Sequence, residues 1–200
     1  MELTDIVFRN EWARFEKELH DRFRMNCTVY NISGIGITGK PNWCNKICPV
    51  IKANKDSLAA ICATGNQYFM AQAKKRKQAV IGECDAGLMK IAVPIYFDGE
   101  FLGTAGGCGR LPAGGELETF MVEKTTGLDE TEITGLCQGL DSITEDQAEQ
   151  MALFIEIYTF YIHKTIDEDE EKIKDLLASL APIGPRTIKE MKRFITGYIH

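Results

Sequence analysis

The stretch that most constrains this chain is residues 84–109, CDAGLMKIAVPIYFDGEFLGTAGGCG. An apolar run from Leu88 to Phe97 reaches Asp98-Gly99, and a second run, Phe101-Leu102-Gly103-Thr104-Ala105, leaves it. Asp-Gly between two apolar runs predicts a β-hairpin, because a type I′ turn needs positive φ at both central residues. Pro94 cannot donate a ladder hydrogen bond, which places it at an edge or a bulge. Gly103, Gly106, Gly107 and Gly109 thin the second strand, so another backbone or a ligand can approach it closely. With Cys84 at one end and Cys108 near the other, the hairpin has the composition of a binding-site wall.

The flanking chain supplies helices to cover such a sheet. Phe8, Trp12, Phe15, Leu19 and Phe23 recur at helical spacing and predict an amphipathic helix over residues 4–24. Thr28 to Ile32 predicts a strand, and Gly34, Gly36, Gly39 and Pro41 a turn followed by a short strand or loop. A loop or short helix carrying Cys44 and Cys48 precedes a longer helix, Leu58 to about Lys77, with Asp56 or Ser57 as its N-cap. Gly65 inside that helix costs about 1 kcal/mol relative to alanine and marks a kink or a close contact. Ala79 to Gly82 predicts a strand, and Leu111 to Gly115 a loop that ends the sheet.

From residue 116 the pattern is helical. Leu117, Phe120 and Met121 mark one short helix and Glu130 to about Gln138 a second. Ser142-Ile143-Thr144-Glu145 has the form of a capping box, with Thr144-to-Gln147 an alternative register. The helix it opens presents Met151, Phe154, Ile155, Tyr158, Tyr161 and Ile162, and meets the acidic run 167–171. Pro182 and Gly184-Pro185 break it before a basic segment from Arg186 to His200. These elements predict an α+β domain over 1–165 and a helical C-terminal extension over 166–200.

A net charge of −6 argues against non-specific nucleic-acid binding, which depends on neutralising phosphates. No apolar run approaches the length of a membrane span, and the first residues do not resemble a signal peptide, so the expected location is the cytoplasm. In a reducing compartment the seven cysteines suggest metal or redox chemistry more than a disulfide framework. Cys44, Cys48, Cys62 and Cys84 could supply the four thiolates of a closed zinc site, and thiolates suit iron as well. The plainer alternative is a set of buried thiols, the reading given to Cys27 and Cys137. Asp85 is either a ligand-binding acid or a turn former.

Catalytic signatures are missing. There is no nucleophile elbow and no phosphate-binding P-loop, and Gly103 to Gly107 lies within a strand with no helix after it. His20, His163 and His200 fall on helical segments away from the cysteine-rich region, leaving a cysteine nucleophile without a base. A non-enzymatic protein is expected, with a cysteine-nucleophile enzyme as the third reading.

Several of these residues, in order, resemble the PocR sensory domain. They are Asn42-Trp43-Cys44, then Cys62, Cys84-Asp85-Ala86-Gly87-Leu88, Ala92-Val93-Pro94-Ile95 and Asp98-Gly99-x-x-Leu102-Gly103. The similarity runs over about residues 5–165. The position after Cys84 is often histidine in that family and is Asp85 here; glutamine is common where this chain has Cys108. The resemblance implies a PAS-like fold, an antiparallel sheet with flanking helices and a ligand cavity between them. It also implies sensing of small organic molecules such as simple alcohols and diols, and a role in transcription regulation or signal transduction.

The leading expectation is a cytoplasmic sensory domain that binds a small organic ligand at Trp43, Cys44, Cys62, Cys84, Asp85 and Cys108. Residues 143–180, dimerised through their helices, would pass the signal to a regulatory protein partner. The alternative is a redox sensor that holds a metal (zinc or iron) or haem on the cysteine cluster.

Overall fold

The computed structural model describes residues 1–39 and 41–167, with side chains to residue 160. All but the first two residues of the predicted extension over 166–200, including its acidic run beyond Asp167 and its break at Pro182, therefore lie outside the described residues. The chain divides into one compact unit, Met1–Leu153, and a second, Phe154–His200.

The predicted N-terminal helix is two helices, α1 (Leu3–Ile6) and α2 (Arg9–Phe23). The chain leaves helical geometry at Val7, with φ −134° and ψ 134°. Phe8 therefore drops out of the apolar stripe and flanks α2 as an exposed residue. Trp12, Phe15 and Leu19 remain on that stripe, each 1% exposed or less, contributing roughly 2–3 kcal/mol apiece by leaving water. Trp12 Nε1 donates to the Leu3 carbonyl at 3.0 Å and ties α1 to α2. Arg24, in the left-handed region, ends α2 by donating its backbone N–H to His20 O.

β1 (Asn26–Asn31) follows, then α3 (Ile47–Ala53) and a three-residue helix α4 (Lys55–Ser57). The cap here is Asn54, whose side chain accepts from the N–H groups of Asp56 and Ser57, so neither predicted residue caps. The predicted helix 58–77 opens with a π-helical turn, Leu58–Ala63, and continues as α5 (Thr64–Arg76). The π turn ends two residues before Gly65, where the sequence predicts a kink or a close contact; a Cβ at Gly65 would stand 3.9 Å from Cys84 Cβ. β2 (Val80–Glu83), β3 (Met89–Phe97) and β4 (Glu100–Pro112) complete the antiparallel sheet.

Strand order is β1-β4-β3-β2. The hairpin turn is as predicted, with φ 48° at Asp98 and 77° at Gly99. Pro94 lies in β3 beyond its last pair with β2, Val80↔Ala92, where no neighbour on that side needs its N–H. The hairpin is offset at two β-bulges, between Ile95 and Tyr96 and between Met89 and Lys90. The second leaves Gly109 as the extra residue on β4, with φ 104°. The thinning glycines admit backbone: a Cβ on Gly103 would stand 2.0 Å from Tyr30 O, and one on Gly106 1.9 Å from Ile91 O.

The sheet does not end at Leu111. Leu111 and Pro112 pair in parallel with β5 (Ser142–Ile143), after α6 (Thr119–Thr126) and α7 (Glu130–Cys137). Because Ser142 and Ile143 are in a strand, the capping box takes the later register. Thr144 and Gln147 exchange backbone-to-side-chain hydrogen bonds at 3.1 and 3.2 Å and open α8 (Glu145–Asp167). Within the second unit Phe154, Ile155, Ile157 and Tyr158 are buried.

The fold is α+β, a sheet with flanking helices, in keeping with the PAS-like arrangement that the resemblance implies. Alternation along the strands gives the sheet two faces. Toward one point Cys27, Val29 and the open side of Gly107, where Met25 and Met151 pack. Toward the other point Asn26, Tyr30, Lys90, Ala92 and Cys108, and this face meets α3, the π turn and α5.

Candidate functional site

Two adjoining cavities lie between that second face and the helices. One, with about 430 Å³ of unfilled space partly open to solvent, is lined by Cys48, Lys52, Cys62, Cys84, Lys90 and Cys108 among others. The other, about 310 Å³, runs along the sheet from Asn26 to Phe69. Tyr30, Asn66, Lys90 and Cys108 belong to both, so the two meet at these four side chains, and together they are the cleft between sheet and helices. The part that a water-sized molecule can enter is about 20 Å³ in the first and 10 Å³ in the second, room for about one water each, so an organic ligand has to part the side chains that line them.

Three local structures build it. The π turn widens the helix where Ile61 is buried and Cys62 half-buried against the cleft. The Cys84-Asp85-Ala86-Gly87-Leu88 loop is closed by Gly87 N–H to Cys84 O at 2.8 Å and Cys84 N–H to Leu88 O at 2.9 Å. Gly87 has φ 73°, and a Cβ there would stand 2.5 Å from the Glu116 carbonyl oxygen, so the loop needs glycine. Ala86 and Leu88 anchor it in a core cluster with Val122 and Ile133, which leaves Cys84 facing the cleft. Third, the bulge at Gly109 receives the start of α3. Asn45 Nδ2 donates to Gly109 O at 2.5 Å while its Oδ1 accepts from Cys48 N–H at 2.8 Å.

The nominated residues divide. Cys62, Cys84 and Cys108 line the cleft, as does Cys48, nominated only as a metal ligand. Cys44 does not line it: its thiol donates toward the carbonyl oxygens of Gly109 at 3.4 Å and Cys108 at 3.8 Å. Trp43 lies outside the lining too, with Lys52 Nζ 5.1 Å from its ring centroid. Asp85 is an exposed turn residue. Cys27 is buried and Cys137 half-buried against the α6–α7 cluster, both as small hydrophobes.

Among the described residues no three His, Cys, Asp or Glu side chains are arranged to hold a metal ion. The donor chemistry agrees. Cys44 is directed to backbone carbonyls, and burial pushes the thiols of Cys44 and Cys62 up to about 11, further raised by charge at Cys108. Burial likewise raises Cys48 and Cys84. These are neutral thiols in the fold as it stands, and each would have to lose its proton to hold zinc or iron.

What the sequence reading missed is the cationic and amide lining. Lys90, only 7% exposed, donates from Nζ to Asn66 Oδ1 at 2.5 Å and stands 5.8 Å from the Phe69 ring centroid. Lys52 brings a second ammonium. Burial pulls it down, but the Tyr30 hydroxyl and the thiols of Cys108, Cys62 and Cys48 raise it on balance. No Asp or Glu lines either cavity among the described residues. The available signal was Lys90 itself, a lone charge inside the apolar run Leu88 to Phe97.

A family model described as the sensory domain found in PocR matches residues 5–167. No curated protein and no solved structure matches the chain. No helix among the described residues is long and apolar enough to cross a membrane.

Proposed function

The chain belongs to the PocR sensory-domain family, and we propose that it senses a small organic ligand held in the cleft between its sheet and α3, the π turn and α5. The observation that carries this is the cleft itself, on the face where Cys62, Cys84 and Cys108 converge. Such sites are concave, mainly apolar and furnished with a few polar groups that orient the ligand. The protein acts as a non-enzymatic cytoplasmic module that biases a partner in signalling or transcription regulation.

The route from site to partner starts in β4. Cys108 faces the cleft, and its neighbour Gly107 faces the other way, where a Cβ would stand 2.7 Å from the Met151 methyl carbon of α8. A ligand that shifts β4 therefore presses on α8, which carries the change onward to a partner or a second copy of the chain.

Thermal unfolding of the full chain against a panel of alcohols, diols, aldehydes, amines and carboxylic acids tests the reading. A ligand that binds the folded state raises the midpoint. At least one compound should do so, and Cys62→Phe, which fills the cleft, should lose that response while unfolding normally in its absence. A panel that shifts nothing, or shifts wild type and Cys62→Phe alike, removes this cleft as the sensing site.

A further inference from the structure

We propose that the ligand is a small organic acid whose carboxylate lies over Cys108, between Lys90 and Asn26; this rests on the sensor reading above and gives its ligand a chemical class. Register provides the arrangement. Cys108 on β4 is the direct cross-strand partner of Asn26 on β1 and of Lys90 on β3. Directly opposed strand residues have Cβ atoms about 5 Å apart, so the three side chains form one row across the sheet. All three line the same cavity.

Both ends of the row hold donors in excess. Asn26 is 5% exposed; its Oδ1 accepts from Cys44 N–H at 2.7 Å, but its Nδ2 is buried with no hydrogen-bond partner. Lys90 is 7% exposed and has three N–H donors, of which Asn66 takes one and no carboxylate takes any among the described residues. A buried donor without a partner costs free energy, and a buried ammonium without an anion costs more. The middle of the row is a cysteine, and no Asp or Glu lines the cavity among the described residues. Lys52, across the cavity, adds a second positive charge.

A neutral alcohol would satisfy one donor and leave the ammonium groups without a counter-charge. A carboxylate has two oxygens and about four acceptor positions, so it can accept from Lys90 and Asn26 together and neutralise the site. Its remaining carbons would occupy the apolar part between Ile61, Cys62 and Leu88.

Calorimetric titration of the full chain with matched pairs provides the test: acetate and ethanol, propionate and propanol, butyrate and butanol, glycolate and ethylene glycol. Two variants accompany wild type. Lys90→Met removes the ammonium, and Asn26→Asp keeps the acceptor for Cys44 N–H while replacing the spare donor with a negative charge. Thermal unfolding checks that each folds. At least one acid should bind about tenfold or more tightly than its alcohol, and either folded variant should lose most of that preference. Alcohols that bind as tightly as their acids overturn the acid assignment and leave the sensor reading standing. Acid preference that both variants retain overturns the placement over Cys108. A panel in which neither class binds overturns this assignment, and the sensor reading falls with it if the wider panel above also shifts nothing.

Discussion

Lys90 Nζ, on β3, donates to Asn66 Oδ1, on α5, at 2.5 Å. This is the ammonium's one hydrogen bond among the described residues, and it crosses the cleft from sheet to helix. Breaking it from the two sides gives opposite results. Asn66→Ala strands a buried ammonium and should destabilise the protein by about 1–3 kcal/mol in urea unfolding. Lys90→Met removes the charge along with its need for a partner and should be neutral or stabilising. Equal losses for the two variants would show that the side-chain volume, not the charge, matters at this position.

The two glycines read most clearly from the sequence give opposite predictions as well. Gly65 sits in α5, and a Cβ there would meet Cys84 Cβ at an ordinary 3.9 Å. Gly65→Ala should raise stability by roughly 0.5–1 kcal/mol through helix propensity. Gly103 has φ 147°, and the Tyr30 carbonyl oxygen lies 2.0 Å from where its Cβ would be. Gly103→Ala should cost several-fold more than Gly65→Ala gains and lower the soluble yield. Denaturant midpoints measured side by side decide both.

Those glycines also show where local sequence is informative. The hairpin was legible because Asp98-Gly99 fixes φ by itself, and α2 because Trp12, Phe15 and Leu19 keep a period of 3.6. Long-range partners left weaker marks. β5 is two residues, Ser142 and Ile143, whose strand state depends on pairing with Leu111 and Pro112, far away in sequence. The same pairing moved the capping box to Thr144. Of the residues that line the cleft, Cys62, Cys84 and Cys108 are legible in the sequence because cysteine is conspicuous. Asn26 and Lys90 were not, because only the β1-β4-β3 register reveals that they flank Cys108. Cys44 differs for a related reason: its sequence motif sets the start of α3 against Gly109, with the thiol directed to the Gly109 carbonyl oxygen.

Glu16, fully buried on α2, holds the opposite face of the sheet. Its Oε1 accepts from Val29 N–H at 2.7 Å, its Oε2 accepts from Thr38 Oγ1, and burial outweighs both bonds to push its pKa up to about 7. In the unfolded chain the same carboxyl titrates near the ordinary value of 4.5. Between those values the folded state binds more protons than the unfolded one, so stability falls as pH rises. The loss is on the order of 3 kcal/mol and is complete somewhat above pH 7. Glu16→Gln should match wild type near pH 5, exceed it at pH 8 and show a flatter profile. A wild-type profile with no fall over this range would mean that Glu16 is ionised in the folded protein.

The thiols in and beside the cleft respond to pH in a way that separates a sensor from an enzyme. Burial pushes Cys44 and Cys62 up to about 11, so only about one molecule in a thousand carries either thiolate at pH 8. Because iodoacetamide reacts with the thiolate, alkylation of these two residues in the folded protein should rise about tenfold per pH unit between pH 7 and pH 10. Mass spectrometry of quenched samples assigns each rate to its cysteine. Ligand in the cleft should slow Cys62, which lines it, and leave Cys44 unaffected. An enzyme with a cysteine nucleophile would behave differently: one thiol would reach a rate plateau near neutral pH, because a base or a cation had already lowered its pKa. A plateau at Cys62, Cys84 or Cys108 would replace the sensor reading with a catalytic one.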